Sequence, residues 1–256
     1  MTLATVSNIA RTMSEEEWQA RVELAALHRL YHHFGMTDLI YTHCTVRVPG
    51  EPDHYLIKPD PLLMDEVCAS NLLKVHMDGT LVAGDYPANL AGHLIHTSVL
   101  GARPDLHALA HTHTRAGVAV SCMEGGIRPL SQHANMIIPA TGYHPYQDVT
   151  TAEEECAALA RDFPAPKNVL VMHNHGLLAG GRSVAECWYY LYYAEMACKV
   201  QVDVLASGQK PLECSDSIVD GLYSFNGVPK NEPIGVARVW PAMLRLLDRT
   251  QPDYRD

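Results

Sequence analysis

The spacing of apolar residues along the chain predicts helices that alternate with strands. Ser14 and Glu17 form a capping-box pattern, and Trp18, Val22 and Ala25 then recur at helical spacing until Gly35. We therefore expect a first helix that starts after Ser14 and ends near Gly35.

The same periodicities, with Gly and Pro as boundaries, place the remaining elements. Strands are predicted at 45–48, 55–58, 106–113, 135–140 and 168–173, a hairpin near 78–79, and helices at 65–73, 89–100, 114–123, 150–162 and 183–207. This alternation predicts an α/β fold with a covered central sheet. We expect one domain over 1–256, with a core at about 15–210 and a C-terminal extension at 211–256 that wraps the domain or a neighbouring subunit.

Composition narrows the class of protein. Of the 256 residues, 47% are hydrophobic and 19% are charged, and the sequence has no apolar run of the length that crosses a membrane. The net charge of −10 and the absence of a dense Lys/Arg run disfavour nucleic acid as a partner. Seven scattered cysteines without a CxxC pair, and an N-terminus without a secretory pattern, favour a cytoplasmic protein with reduced thiols.

Histidines close two of the predicted strands. One apolar run ends in His111-Thr112-His113, and strand alternation puts both imidazoles on one face. A second run ends in His173-Asn174-His175. Two strand ends with imidazoles are the pattern of a three-histidine metal site that keeps an open position. Surface or helix-capping histidines are the alternative interpretation.

Other histidines carry weaker signals. His93 and His96 share one helical face, and His96 fits a core position as well as a pocket wall. His133 and His144 flank a predicted strand and could line the same cavity as the metal site.

The combined motifs resemble the class II aldolase/adducin superfamily. They are Arg103-Pro104-Asp105, the His-x-His at 111–113, Asn174-His175-Gly176-Leu177-Leu178 and the long helix that follows. The run Ala91-Gly92-His93-Leu94-Ile95-His96 is similar to a subgroup that carries Ala-Gly-x-x-Ile-His at this place. The resemblance covers about residues 15–210.

This resemblance implies a three-layer α/β/α fold with a central, mostly antiparallel sheet. It also implies a homotetramer with active sites at subunit boundaries and one divalent metal ion, Zn, Mn or Fe, on His111, His113 and His175. His173 lies outside the motif and is a candidate for supporting the ligands.

Two departures from the family pattern limit the substrate. Gly92 stands where sugar-phosphate aldolases of the family carry a catalytic glutamate. Their phosphate motifs correspond to residues 42–45 and to Asp60-Pro61, where an aspartate repels phosphate and proline lacks an N–H donor. A phosphorylated ketose is therefore a poor substrate.

We predict a divalent-metal-dependent carbon–carbon lyase, of decarboxylase or retro-aldol type, that acts on a non-phosphorylated oxo, hydroxy or aromatic acid. Candidate proton donors are His96, His93 and Tyr146. One alternative is a non-haem iron oxygenase of aromatic 2-oxo or 2-hydroxy acids, and the other is a non-catalytic, adducin-like interaction module. A small-molecule acid or carbonyl compound is the expected partner, with neither nucleic acid nor membrane.

Overall fold

The structure, a computed structural model, describes residues 13–146, 153–227 and 231–256. Contacts within the chain define two compact units. The first comprises residues up to His93 together with Pro241–Asp256, and the second comprises Leu94–Trp240.

The first unit contains one long helix and four strands. Its elements are α1 (Glu15–His33), β1 (His43–Val48), β2 (Glu51–Ile57), β3 (Leu73–His76) and β4 (Leu81–Ala83), with 3-10 turns at Met64–Glu66, Ala69–Asn71 and Pro252–Arg255. The strands lie in the order β4-β3-β2-β1, and each neighbouring pair is antiparallel. Helix α1 packs on β1 and β2.

The start of α1 follows the predicted cap only in part. The Ser14 hydroxyl accepts a hydrogen bond from the Glu17 N–H at 3.1 Å, as an N-cap should. The Glu17 carboxylate, however, binds Arg21 at 3.0 Å and Lys74 at 3.0 Å. Glu17 is buried, so its carboxylate is used to neutralise two basic side chains.

The second unit contains the other four strands and most of the helices. Its strands are β5 (Ala108–Thr112), β6 (Thr141–His144), β7 (Val169–Met172) and β8 (Gly176–Gly181). They lie in the order β5-β8-β7-β6, antiparallel except for the parallel pair β6 and β7. The helices are α3 (Arg115–Ser121), α4 (Gln132–Asn135), α5 (Glu153–Asp162), α6 (Val184–Ala206) and α7 (Asp216–Phe225). Helices α2 (Leu90–Ala102) and α8 (Val236–Thr250) cross the boundary between the two units.

The predicted α/β class with a mostly antiparallel sheet is confirmed. Helix α6 packs on β5, β7 and β8, and its aromatic residues Trp188, Tyr189 and Tyr190 are each 1% exposed. These side chains belong to the core of the second unit. No helix in the described part of the chain has the length and hydrophobicity to cross a membrane.

Several predicted elements were wrong in detail. The strand predicted at 135–140 is the end of α4 and a 3-10 turn at Ile138–Ala140, and strand β6 begins only at Thr141. The helix predicted at 65–73 is two 3-10 turns followed by β3. The predicted helix at 150–162 is helical from Glu153, and its first positions lie outside the described residues.

Two regular features were not predicted. Strand β8 has the sequence Gly-Leu-Leu-Ala-Gly-Gly, which lacks the β-branched and aromatic residues that signal a strand. The C-terminal extension contains α7 and all of α8. Its Pro and Gly residues suggested a tail, but several of them lie between the helices, and Pro241 lies inside α8.

Candidate metal centre

Strand β5 carries the first histidine at a fully buried position. His111 lies opposite Leu178 in the β5–β8 pair, and its Nδ1 is 2.9 Å from the carbonyl oxygen of Leu177. Because a carbonyl can only accept a hydrogen bond, the proton of the neutral ring is on Nδ1. The lone pair of His111 is therefore on Nε2, where a metal ion can use it.

A tight turn between β7 and β8 carries His175. Met172 pairs with Gly176, and Asn174 adopts the left-handed conformation with φ of 57°, which asparagine tolerates better than most residues. The carbonyl of Ser121 accepts hydrogen bonds from the Asn174 N–H at 3.1 Å and from His173 Nδ1 at 3.0 Å. Helix α3 thus holds this turn from its C-terminal end.

Gly176 allows the turn to approach β5. A Cβ atom at this position would lie 2.2 Å from the carbonyl oxygen of Thr112, closer than any real side chain could come. The missing side chain lets the segment that follows His175 pass directly against the strand that carries His111.

The three predicted ligands converge at this point. His113 Nε2 lies 2.8 Å from His111 Nε2 and 3.0 Å from His175 Nε2. Their possible ligand atoms all lie within 4.8 Å of one another, and this is the one such group of His, Cys, Asp and Glu among residues 13–146, 153–227 and 231–256. Convergent imidazole nitrogens are a donor set that divalent Zn, Mn and Fe accept, so the residues fit the expected ion.

The protonation of His175 suits the same role. Burial is the main cause that lowers its pKa to about 4, and the nearby charges of His113 and His144 contribute to the same shift. His175 is therefore neutral at pH 7, as a metal ligand must be.

A buried hydrogen bond follows directly after His113. The Thr114 hydroxyl donates to the Glu195 carboxylate at 2.5 Å and accepts from the Gly117 N–H at 3.1 Å. Lys199 lies 3.3 Å from the same carboxylate. This network ties the end of β5 and the start of α3 to helix α6, and nothing in the sequence had indicated it.

Among the predicted proton donors, Tyr146 forms a ring contact with the histidine group. Its ring centroid lies 6.5 Å from that of His175 in an edge-to-face arrangement. Tyr146 as a whole residue is 57% exposed.

His93 and His96 lie on α2. His96 is fully buried. Tyr55 keeps its proton because burial raises its pKa, and its hydroxyl lies 2.7 Å from His93 Nδ1. Burial also lowers the pKa of His93. The catalytic roles of His93, His96 and Tyr146 stay predictions.

Two further histidines have defined partners. His173 binds the Ser121 carbonyl and stacks on Tyr143 at 5.9 Å, so it anchors the turn. His144 Nδ1 lies 2.8 Å from Asp162 Oδ2. The sequence had no signal for this pair, since the two residues are 18 positions apart and lie on different elements.

At the positions that depart from the family pattern, the structure shows which side chains are in contact. The ring of His43 packs on Gly92, where a Cβ atom would lie 2.9 Å from the ring carbons. Asp60 accepts a hydrogen bond from Asn89 at 2.8 Å. A glutamate therefore has no room at Gly92 unless His43 moves.

Comparison with known proteins shows which family the chain is similar to. Residues 22–202 match the family described as Class II Aldolase and Adducin N-terminal domain. A Caulobacter vibrioides protein named "Putative aldolase class 2 protein" is 39% identical over 95% of both chains. Alpha-adducin from Rattus norvegicus is 37% identical over 92% of this chain, which corresponds to 34% of the adducin.

A solved structure is similar along nearly the whole length. The aldolase II superfamily protein from Pseudomonas syringae has a TM-score of 0.92 and 39% identity, with 97% of this chain and all of that chain covered. An L-fuculose 1-phosphate aldolase from Glaciozyma antarctica shares the fold at 23% identity, with a TM-score of 0.83 over 100% of this chain and 96% of that chain.

Proposed function

Because the chain belongs to the class II aldolase/adducin family, we propose that His111, His113 and His175 bind one divalent metal ion and that the protein is a metal-dependent carbon–carbon lyase. The proposed reaction is a decarboxylation or a retro-aldol cleavage of a non-phosphorylated oxo, hydroxy or aromatic acid. The convergence of the three imidazole nitrogens is the observation that carries this proposal.

The proposed ligands His111, His113 and His175, here called the histidine triad, suit such a reaction. When bound, the ion would supply a Lewis acid that polarises a carbonyl or carboxylate oxygen of the substrate. His111 is held in the required tautomer by the Leu177 carbonyl, and His175 is kept neutral by burial. The neutral ring of His111 therefore directs its lone pair to Nε2, and His175 needs no prior loss of a proton.

Proton delivery to the product needs a separate group. Tyr146 is exposed beside His175, so its hydroxyl can donate a proton to a carbanion formed at the site. His96 and His93 are retained as proposed alternatives. Replacement of Tyr146 by Phe should lower turnover and leave metal content unchanged if Tyr146 is the donor.

The preference for a substrate without phosphate rests on two positions. The Asp60 carboxylate stands where phosphate-binding relatives offer neutral donors, and Gly92 lacks the glutamate of sugar-phosphate aldolases. We therefore propose a substrate that carries a free carboxylate in place of a phosphate group.

The 37% sequence identity to alpha-adducin favours a second candidate function, an interaction module without catalysis. In that case the histidine triad would have no reaction to serve. Metal content and turnover separate the two candidates.

The test starts from metal analysis of the purified protein and of His111→Ala. We expect about one ion per chain in the wild type and a loss in the variant. The control is His107→Ala, since His107 is exposed just before β5. Turnover of a panel of aromatic, 2-oxo and 2-hydroxy acids should be present under anaerobic conditions. Turnover that requires oxygen would identify the iron oxygenase instead, and metal-free protein without turnover would support the interaction module.

A further inference from the structure

The end of strand β6 lies beside the turn that carries His175. His144, the last residue of β6, pairs with Met172 in the parallel β6–β7 ladder. Its carbonyl oxygen accepts a hydrogen bond from the His173 N–H at 2.8 Å. The first residue of the turn is therefore attached to the backbone of His144, two residues before the proposed ligand.

The side chain of His144 is fixed by Asp162 at the end of α5. Nδ1 lies 2.8 Å from Asp162 Oδ2, and the His144 side chain is 2% exposed against 21% for Asp162. Because an ionised carboxylate only accepts hydrogen bonds, His144 donates from Nδ1. This ring can neither rotate nor change its tautomer without losing a part-buried, charge-assisted hydrogen bond.

His144 also lies close to the proposed ligand, because its carbonyl oxygen holds the residue two positions before His175. His144 is not itself a member of the convergent group of possible ligands. It therefore stands next to the proposed site without belonging to the ligand set.

We infer that Asp162 and His144 are positioning residues that hold the His175 turn in the conformation needed to bind metal. Asp162 fixes the imidazole, the imidazole fixes the end of β6, and the His144 carbonyl fixes the turn. The inference rests on the proposed function, since it assumes that His175 is a metal ligand. Groups that orient metal ligands from outside the ligand set commonly change metal affinity by 10- to 100-fold when removed.

The experiment compares two amides at position 144. His144→Asn keeps an N–H donor where Nδ1 lies, whereas His144→Gln places its amide further out and leaves Asp162 without its donor. Affinity is measured for Co²⁺ alone, by competition with a chelator, on protein stripped of metal. We expect His144→Gln to bind Co²⁺ about 10-fold more weakly than the wild type, and His144→Asn to stay within about threefold.

Asp162 gives the second comparison. Asp162→Asn keeps an acceptor and should bind Co²⁺ nearly as the wild type does, whereas Asp162→Ala should lose about 10-fold. The control is Asp105→Ala, which removes a carboxylate that binds Arg103 at 2.7 Å in the same unit without touching β6. Circular dichroism checks that each variant is folded, and if Asp162→Ala does not fold, the two amides at position 144 decide.

Equal Co²⁺ affinities of His144→Asn and His144→Gln would overturn the inference, and so would an equal loss in Asp105→Ala and Asp162→Ala. These results differ from a failure of the proposed function. If the proposed function fails, the wild type will not bind Co²⁺, and His111→Ala will show the same lack of binding.

Discussion

Gly176 is the residue at which the absence of a side chain matters most for the histidine group. A Cβ atom there would lie 2.2 Å from a backbone oxygen, so the backbone must shift to accept alanine. A shift that moves the start of β8 away from β5 would also separate His175 from His111.

Gly176→Ala should therefore lose both stability and metal affinity. We expect a loss of about 1–3 kcal/mol in the free energy of unfolding, the range of other overpacking changes, together with weaker Co²⁺ binding. Urea unfolding and chelator competition measure the two effects. Wild-type values for both would show that the close approach to Thr112 is not needed.

Substitution of Gly92, which lies on α2, tests how tightly the ring of His43 packs against this helix. The Cβ atom of Gly92→Ala would lie 2.9 Å from ring carbons of His43, so we expect a loss of about 1–2 kcal/mol despite the better helix propensity of alanine. Gly101→Ala is the matched control on the same helix, because no atom lies within 4 Å of its Cβ. In thermal unfolding, we expect a lower Tm than wild type for Gly92→Ala and an unchanged or higher Tm for Gly101→Ala.

At the scale of the element, the predicted capping box of α1 forms only in part, because a long-range contact uses one of its two side chains. Ser14 caps the helix as its position predicts, but Glu17 binds Lys74, which lies far along the chain on β3. The capping box was predicted from residues within one turn of helix. The long-range partner of Glu17, Lys74, could not be predicted in this way.

Ser14→Ala should cost about 1 kcal/mol in the free energy of unfolding, since it removes the acceptor for the Glu17 N–H. Ser14→Asp should retain wild-type stability, because a carboxylate accepts the same bond and suits the helix N-terminus. Urea unfolding of the two variants measures the difference. Equal destabilisation by both substitutions would contradict the capping role.

At the scale of the whole molecule, a buried imidazole links stability to pH. His28 is fully buried in α1, and its Nδ1 lies 2.7 Å from the Leu24 carbonyl. Its Nε2 has no hydrogen-bond partner among the residues that the structure describes. Burial lowers the pKa of His28 from 6.5 to about 3.

Stability should therefore fall as the pH falls from about 6.5 towards 3. In this range the unfolded chain binds a proton on His28 and the folded chain does not, so His28 alone contributes a loss of about 1.4 kcal/mol per pH unit. His28→Leu should reduce the slope of unfolding free energy against pH, whereas His33→Ala, at an exposed position of the same helix, should not. An unchanged slope in His28→Leu would show that His28 is also protonated when folded.

The sequence by itself determined what depends on neighbouring residues. Apolar periodicity predicted α1 and the long helix α6, and strand alternation placed His111 and His113 together. The motifs also predicted the family. Each of these features is contained in one short segment, so its pattern is present before any tertiary contact forms.

Only the tertiary structure decided how distant segments meet. His175 reaches the other histidines because glycine-rich β8 pairs with both β5 and β7, and such a strand carries no local signal. The pairs of His144 with Asp162 and of Thr114 with Glu195 join separate elements in the same way. Strand register and helix packing set these contacts, and both depend on the sum of many long-range interactions rather than on any one stretch of sequence.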